Sequence, residues 1–171
     1  MSNIADCVMN APERHEYIQV LEILKPVLFG LPAVIVSIDG RSGAGKTTLG
    51  RFLAWRFNCS LLESDLFLDR GNPGLVYREE DVQAVIRHRV ERDHPIIVEG
   101  VCTLRLLRSL GYDPTFHIRV ECDVAEGTSA LERAWCDYSA EYLPDPAKTL
   151  FVDIPALDDD GNIIPSNRRR T

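Results

Sequence analysis

One short segment of the chain combines glycines, a lysine and a threonine at the spacing that phosphate binding requires. The segment Gly40–Thr47 reads GRSGAGKT and matches the pattern G-x-x-x-x-G-K-[ST] at every fixed position. Its glycines let successive backbone N–H groups point at phosphate oxygens, and the N-terminus of a following helix contributes partial positive charge. Lys46 is expected to neutralise the β- and γ-phosphates of a nucleoside triphosphate, and the Thr47 hydroxyl is expected to bind Mg²⁺. The residues expected to contact the phosphates are Gly40, Arg41, Ser42, Gly43, Ala44, Gly45, Lys46, Thr47 and Thr48.

The residues on either side of this loop predict the strand and the helix that such a loop needs. Val34–Ile38 is short, rich in β-branched residues and not alternating, which is typical of a strand covered on both faces. Leu49, Phe52 and Leu53 then recur at helical spacing. A second short strand is predicted at Cys59–Leu62. The phosphate loop therefore lies at the first turn of a β-α-β unit.

A third apolar strand ends in an acidic residue. Ile96–Val98 predicts a buried strand, and Glu99 and Gly100 follow it directly. Ligands of open α/β sheets bind at the carboxyl edge of the strands, and the phosphate loop lies at that edge. Glu99 is therefore expected to hold Mg²⁺ through water, with Gly100 leaving room beside it. The alternative is a strand-end acid that faces solvent.

A second acidic candidate follows the second predicted strand. Phosphoryl transfer needs a group that orients or deprotonates the attacking hydroxyl. Asp65 should emerge at the same edge of the sheet as Lys46, so it is the preferred base. Its neighbours Glu63 and Asp69 remain alternatives. Capping the N-terminus of a helix is the structural role that would compete with catalysis at Asp65.

Four arginines are candidates for stabilising a transferring phosphate, because a guanidinium pairs well with phosphate oxygens. They are Arg41 within the loop, Arg78 before a predicted helix, Arg119 at the end of the fourth predicted strand, and Arg133. The region 122–143 is a candidate lid over the nucleotide, and Arg133 within it is assigned the catalytic role. Arginines are also common on protein surfaces, so each of the four has a structural alternative.

The remaining pattern alternates helices with short apolar strands. A packing helix is expected from Glu13 to Phe29, within the N-terminal region 1–32. Further elements are predicted, in chain order, at Val82–Val90, Leu104–Leu110, Phe116–Val120, Leu131–Tyr142 and Thr149–Asp153. Alternation of apolar and polar residues in the strand at Phe116–Val120 predicts that it is less fully covered than the others. The strand–helix order predicts a single domain, 1–171, with a three-layer α/β fold: a parallel five-stranded sheet with helices on both faces.

Composition and charge restrict the classes of partner. Of the 171 residues, 45% are hydrophobic and 26% charged, close to the average of soluble globular proteins. The net charge of -7 would repel a polyanion over most of the surface, so nucleic acid is not expected as a partner. The sequence has no apolar run long enough to span a membrane and no signal-peptide pattern, so we expect a cytoplasmic protein with no membrane partner. The five cysteines lack the spacing of a zinc site.

The C-terminal region, 154–171, is expected to form a hairpin and a basic tail. Asp158–Asn162 is similar to a calcium-binding loop, but the first ligand position holds an alanine and no glutamate closes the loop. A hairpin turn at Asp160-Gly161, leading into Ile163-Ile164, is favoured instead. The run Arg168–Arg170 is typical of a solvated terminus.

Three segments together resemble the uridine kinase-like branch of the P-loop kinases, within the P-loop NTPase superfamily. They are Ile38–Leu49 (IDGRSGAGKTTL), Ser64–Phe67 (SDLF) and Ile97–Val101 (IVEGV). The resemblance implies a P-loop NTPase fold, ATP as the phosphoryl donor and transfer to a hydroxyl. It also implies that Asp65 acts on the substrate hydroxyl and that Glu99 belongs to the neighbourhood of Mg²⁺ and substrate.

The chain departs from that family at two places. Leu66-Phe67-Leu68 follows Asp65 where uridine kinases usually carry an aromatic Phe-Tyr pair, which affects nucleoside binding. In the segment 121–138 the family usually offers several arginines, and this chain has only Arg133. Either Arg119 and Arg133 share the task, or phosphoryl transfer is weak.

Two functions of different classes fit these observations. The leading one is an ATP-dependent phosphotransferase that moves the γ-phosphoryl group to a hydroxyl of a small nucleoside-, sugar- or vitamin-like molecule. Lys46, Asp65 and Arg133 would then be catalytic, and Thr47 and Glu99 would position Mg²⁺. The alternative is a nucleotide-binding regulatory module with slow or no hydrolysis. An NTPase without a small-molecule acceptor is a third reading, and homodimerisation stays open.

Overall fold

In the computed structural model, the residues described are 14–69, 71–72, 75–122 and 127–156. Strands and helices alternate along them in the order that the sequence pattern predicts. The strands are β1 (Ile35–Gly40), β2 (Ser60–Glu63), β3 (Ile96–Glu99), β4 (Phe116–Glu121) and β5 (Thr149–Asp153). The helices are α1 (His15–Leu28), α2 (Lys46–Phe57), α3 (Glu79–Val90), α4 (Thr103–Ser109) and α5 (Ser129–Glu141), and a short 3-10 helix spans Ser64–Phe67.

These strands pair in parallel and form a sheet with the order β2-β3-β1-β4-β5. The predicted parallel five-stranded sheet is confirmed. β1 lies at the centre, with β3 on one side and β4 on the other. Because all strands run the same way, the loops after β1, β2 and β3 emerge at one edge of the sheet, where ligands of such folds bind.

Helices cover both faces of the sheet, as predicted. On one face α1 and α2 pack against the strands through apolar residues that include Leu24 and Leu49, and on the other α3 and α4 do so through Ile86 and Leu107. Successive residues of a strand point to opposite faces. In β3, accordingly, one residue belongs to the first core and its two neighbours belong to the second.

The fourth strand is not less covered than the others, so that sequence prediction was wrong. In β4 the residues 117–120 are all buried, because the strand lies between β1 and β5. The alternation that suggested a half-covered strand comes from His117 and Arg119, two polar side chains that lie inside the protein. Both are within 3.2 Å of the carboxylate of Asp39 on the neighbouring strand.

Two regions of the sequence prediction extend beyond the described residues. The start of the N-terminal region lies outside them, and the packing helix is seen as α1. The strand Thr149–Asp153 is confirmed as β5, whereas the hairpin turn at Asp160-Gly161 and the basic tail lie outside the described residues. Among the helices of the described part, none has both the length and the apolar character needed to cross a membrane.

Candidate active site

The phosphate loop connects β1 to α2, as its sequence predicts. Gly40, the last residue of β1, passes so close to β4 that a Cβ atom built on it would lie 2.3 Å from the carbonyl oxygen of Val120. Gly45 has a φ of +89° and precedes the first residue of α2, a left-handed conformation that side chains disfavour. Glycine is therefore required at both fixed positions, at the first by space and at the second by backbone conformation.

Lys46 is the first residue of α2 and is buried within this loop. Its side-chain Nζ donates a hydrogen bond to the backbone carbonyl of Arg41, at 2.7 Å. Burial lowers the pKa of Lys46, and the negative charges of Glu99, Asp65 and Asp39 oppose that change. Three carboxylates that are distant in sequence thus act on a single ammonium group.

Thr47 and Glu99, the two predicted metal-binding residues, lie beside each other. The Thr47 hydroxyl donates to Oε1 of Glu99 at 3.1 Å. The sheet produces this contact, because Glu99 ends β3 level with Ile38 of β1, just before the loop begins. Glu99 is 2% exposed, and burial raises its pKa, against the opposing effects of the Thr47 hydrogen bond and the Lys46 charge.

This pair fits a magnesium ion. Mg²⁺ prefers hard oxygen ligands and in phosphotransferases is commonly held by one or two side chains together with substrate phosphates. Thr47 offers a hydroxyl and Glu99 a carboxylate, and the two already converge beside the phosphate loop. A raised pKa also fits, because a buried carboxylate is stabilised when a cation arrives.

Asp65 lies at the same edge of the sheet, one strand further out. It is exposed and belongs to the first turn of the 3-10 helix that follows β2. The residue at the N-cap position is Glu63, and no side chain caps this helix, so the competing role of Asp65 as an N-cap is not found. Its charge acts on both Lys46 and Glu99.

The two alternatives to Asp65 are held by other contacts. Glu63 accepts two hydrogen bonds from Arg51, at 2.7 and 2.9 Å. Asp69 accepts from the backbone N–H of Gly71 at 3.0 Å and from the side chain of Asn72 at 2.5 Å. These pairings favour Asp65 as the carboxylate available to an acceptor.

The four candidate arginines have different surroundings. Arg41 lies 3.5 Å from a carboxylate oxygen of Glu132 on α5. Arg78 pairs with Asp81 at 3.0 Å and also donates to a backbone carbonyl of the 3-10 helix. Arg133 lies on the exposed side of α5. The fourth is Arg119, which is buried against Asp39 and so is held away from the role of a free phosphate clamp.

A buried polar cluster directly beneath the loop was missed by the sequence interpretation. Its centre is Asp39, fully buried and next to Gly40 in sequence. Arg119 donates to both of its carboxylate oxygens, at 3.1 and 3.2 Å, and Tyr138 of α5 donates to one of them. Ring nitrogen Nε2 of His117 lies 3.2 Å from Asp39, although not aligned as a regular hydrogen bond. The hydroxyl of Ser37 contacts the other ring nitrogen at 2.6 Å.

The charges in this cluster compensate one another. Burial alone would raise the pKa of Asp39, but the close approach of His117 and the hydrogen bonds and charge of Arg119 hold it below its ordinary value. The carboxylate is therefore ionised and paired rather than isolated. A signal was present in the sequence, because His117 and Arg119 are two residues apart in a strand and so face the same way.

A cavity of about 560 Å³ lies between the segment 75–80 and α4. Tyr77, Cys102 and Arg105 line it, together with apolar side chains. Burial raises the pKa of Tyr77, and the charges of Cys102, Asp65 and Glu99 act in the same direction. The charges of the two acidic candidates thus reach one residue of the cavity lining, Tyr77.

The candidate lid is anchored at one end. The described part of the region 122–143 consists mainly of α5, and Thr128 caps its first turn by accepting a 3.4 Å hydrogen bond from the backbone N–H of Leu131. Tyr138, near the other end, is fully buried. Any closing motion of this region would therefore involve the half of α5 that carries Arg133, and the lid itself stays a prediction.

The fold and the site together define a class. A central parallel strand leads into a glycine-rich loop and then into a helix that begins with Lys46 and Thr47. Helices cover both faces of the sheet. The molecule has the three-layer α/β fold of the P-loop NTPases, as the sequence predicts.

Comparison with known proteins supports this fold. No protein-family model and no curated protein matches the sequence. Among solved structures, a sugar kinase from Janibacter sp. matches with a TM-score of 0.53 and 19% identity, over 71% of this chain and 86% of that chain. A gluconokinase from Sinorhizobium meliloti matches with a TM-score of 0.46 and 20% identity, over 72% and 83% of the two chains. At 19% identity the match to the sugar kinase shows the fold alone, and that fold is the one that the sequence predicts.

Proposed function

We propose that this chain is an ATP-dependent phosphotransferase that moves the γ-phosphoryl group to a hydroxyl of a small molecule. The main support is the 3.1 Å contact between Thr47 and Glu99, which joins the phosphate loop to the acidic end of the neighbouring strand. Asp65 lies at the same edge, and its charge acts on Tyr77, which lines a cavity that is our candidate site for the acceptor. A phosphate loop alone would bind nucleotide, whereas transfer also needs a metal site and a group that orients the acceptor hydroxyl, and Thr47, Glu99 and Asp65 would supply these.

The donor side of the reaction depends on the phosphate loop. Backbone N–H groups of residues 40–47 and the ammonium of Lys46 would bind the β- and γ-phosphates. Thr47 and Glu99 would hold Mg²⁺, which when bound neutralises charge that develops on the phosphate oxygens. Burial lowers the pKa of Lys46 in the free protein. The negative charge of bound phosphates would favour the ammonium form of Lys46.

The acceptor side depends on Asp65. An acceptor hydroxyl bound in the cavity would direct its oxygen at the γ-phosphorus, and a new oxygen–phosphorus bond would form as the bond to the β-phosphate oxygen breaks. Asp65 would take the hydroxyl proton, and ADP would leave with the bridging oxygen. Arg133 on α5 would approach the transferring group to stabilise its charge. The small molecule would be nucleoside-, sugar- or vitamin-like.

The regulatory module remains the alternative from another class. It is favoured by the pairing of Arg41 with Glu132 and of Arg119 with Asp39, because these two guanidinium groups are engaged within the protein rather than free to bind a phosphate. Such a module would bind nucleotide and change its partner contacts without transferring phosphate.

A screen of acceptors separates the two functions. Purified protein with MgATP would be incubated with pools of nucleosides, sugars and vitamins, and ADP and phosphorylated product would be measured. The kinase requires a product that depends on one pool and disappears in Lys46→Ala. If ATP binding depends on Lys46 but no pool gives a product, the result would favour the regulatory module over the kinase.

A further inference from the structure

The residue that precedes the phosphate loop carries a charge with no access to solvent. Asp39 is fully buried, and its carboxylate is bound by Arg119 from β4 and by the hydroxyl of Tyr138 from α5. A buried carboxylate is stable only when it is paired and hydrogen-bonded. The position of Asp39, and with it the start of the loop at Gly40, thus depends on partners from two other elements.

Tyr138 joins three elements through a single oxygen atom. Its hydroxyl donates to Asp39 at the end of β1 and accepts a hydrogen bond from the backbone N–H of Leu104, at 3.3 Å. Leu104 lies in the first turn of α4, which follows the turn after Glu99. The hydroxyl therefore links β1, which leads into the phosphate loop, with α4, which follows β3, and with α5 of the candidate lid.

The ring of Tyr138 is fixed as well as its hydroxyl. The side chain is fully buried, and its ring lies 5.5 Å from that of Trp135 and 5.2 Å from that of Tyr142. The guanidinium of Arg119 lies over both Trp135 and Tyr138, at 5.1 and 5.6 Å from the ring centroids. Burial, followed by the charge of Asp39, raises the pKa of Tyr138, so the phenol stays protonated and remains the donor.

We propose that Tyr138 is a positioning residue for the phosphate loop and that it acts through Asp39. By holding the Asp39 carboxylate against α5 and α4, it fixes the direction in which β1 enters the loop. The proposal rests on the proposed function only in so far as the loop binds nucleotide; it needs no acceptor. In this proposal α5 has two roles: it carries Arg133, and through Tyr138 it holds the Asp39 carboxylate.

The test compares two tyrosines of the same helix. Tyr138→Phe removes the hydroxyl and leaves the ring, so the aromatic packing stays. Tyr142→Phe is the matched control: it lies one turn further along, its ring stacks on Tyr138, and its hydroxyl has no hydrogen bond to another described residue. The readouts are the affinity for MgATP by calorimetry, and amide hydrogen exchange of residues 40–47 in the free protein, at equal fraction folded.

Tyr138→Phe should weaken MgATP binding roughly tenfold, the lower end of the range for groups that orient a ligand-binding residue. It should also speed exchange in the loop, because the entry of the loop is less constrained. Tyr142→Phe should change neither. Equal affinity and equal loop exchange in the two variants would overturn the proposal.

A double-mutant cycle shows whether the effect passes through Asp39. In an Asp39→Asn background the link is already altered, so adding Tyr138→Phe should change MgATP affinity by less than about twofold. A second tenfold loss would mean that Tyr138 acts by another route, and would refute the proposal. If Tyr138→Phe does not fold, Asp39→Asn with the tyrosine intact must itself weaken binding and speed loop exchange, and wild-type behaviour would be decisive against the link.

Failure of this proposal differs from failure of the proposed function. A wild-type protein that binds MgATP but phosphorylates no acceptor would remove the kinase and leave the Tyr138 comparison valid. A wild-type protein that does not bind MgATP would leave loop exchange in the free protein as the deciding measurement.

Discussion

Replacing Glu99 by glutamine should strengthen the fold and weaken the function. Glutamine has nearly the same shape and keeps an oxygen that can accept from Thr47, so the change removes little besides the negative charge. Glu99 is 2% exposed. Its pKa is raised, so the effect of burial on the pKa is larger than the opposing effects of the Thr47 hydrogen bond and the Lys46 charge. The carboxylate therefore destabilises the metal-free protein and is useful only when a cation binds.

The raised pKa of Glu99 sets the direction of the effect on stability. A raised pKa in the folded state means that the ionised carboxylate costs stability above that pKa and costs none where it is protonated. Glu99→Gln should thus raise the free energy of unfolding by roughly 1 kcal/mol at neutral pH, as for other charges kept for function, with the gain shrinking as pH falls. Loss of a charged oxygen ligand should weaken Mg²⁺-dependent nucleotide binding roughly ten- to a hundredfold.

Two measurements on the same protein samples test this expectation. Denaturant unfolding without metal, from neutral to acidic pH, gives the stability difference between wild type and variant. Calorimetric titration with ATP, at several Mg²⁺ concentrations, gives the metal dependence of binding. Wild-type binding should itself lose its Mg²⁺ dependence as pH falls through the raised pKa of Glu99, whereas the variant should show no such change.

Glu63→Gln is the matched control, because Glu63 is level with Glu99 on the adjacent strand and forms an ion pair with Arg51. Its loss should lower stability only slightly, because exposed ion pairs contribute little, and should leave the Mg²⁺ dependence unchanged. A Glu99→Gln protein that is less stable than wild type, or that keeps the full Mg²⁺ response, would refute the reasoning about this carboxylate.

Three further expectations follow from the same site. Lys46→Ala should weaken ATP binding in the presence of Mg²⁺ without unfolding the domain, and unchanged affinity in calorimetry would contradict the phosphate-loop assignment. Asp65→Asn should lower turnover of the identified acceptor roughly a hundredfold or more while ATP affinity barely changes, and activity within a few-fold of wild type would move the base elsewhere. Hydrogen exchange in the half of α5 that carries Arg133 should slow when an ATP analogue and acceptor bind, and equal exchange in both states would remove the lid.

The sequence predicts the fold well because local pattern and global architecture agree. Each strand of the sheet is a short apolar run, and each helix has an apolar stripe, so their order alone indicates a parallel sheet covered on both faces. The one element read incorrectly was β4. Polar residues are usually exposed, but His117 and Arg119 of β4 are buried.

The donor side of the site was predictable for a related reason. The phosphate loop is a contiguous segment, so its glycines, Lys46 and Thr47 are recognisable without knowledge of the fold. Glu99 and Asp65 required one further step, that parallel strands end at a common edge. The contact of Glu99 with Thr47 and the pairing of Glu63 with Arg51 required the strand order, which the sequence does not specify.

What remained hidden in the sequence is the set of contacts that joins residues far apart along the chain. Tyr138 looks like an ordinary core aromatic in its helix, and Asp39 looks like an acid at the edge of a motif. Their hydrogen bond spans 99 positions and exists only because β4 places Arg119 next to β1 and α5 crosses over that pair. A buried charge is stable only when all of its partners are in place, and the partners of Asp39 come from β4 and α5. The position of the phosphate loop therefore depends on the whole fold and not only on the GRSGAGKT segment. The same phosphate loop in another fold would bind nucleotide with a different affinity, because the contacts that hold Asp39, next to Gly40, would be different.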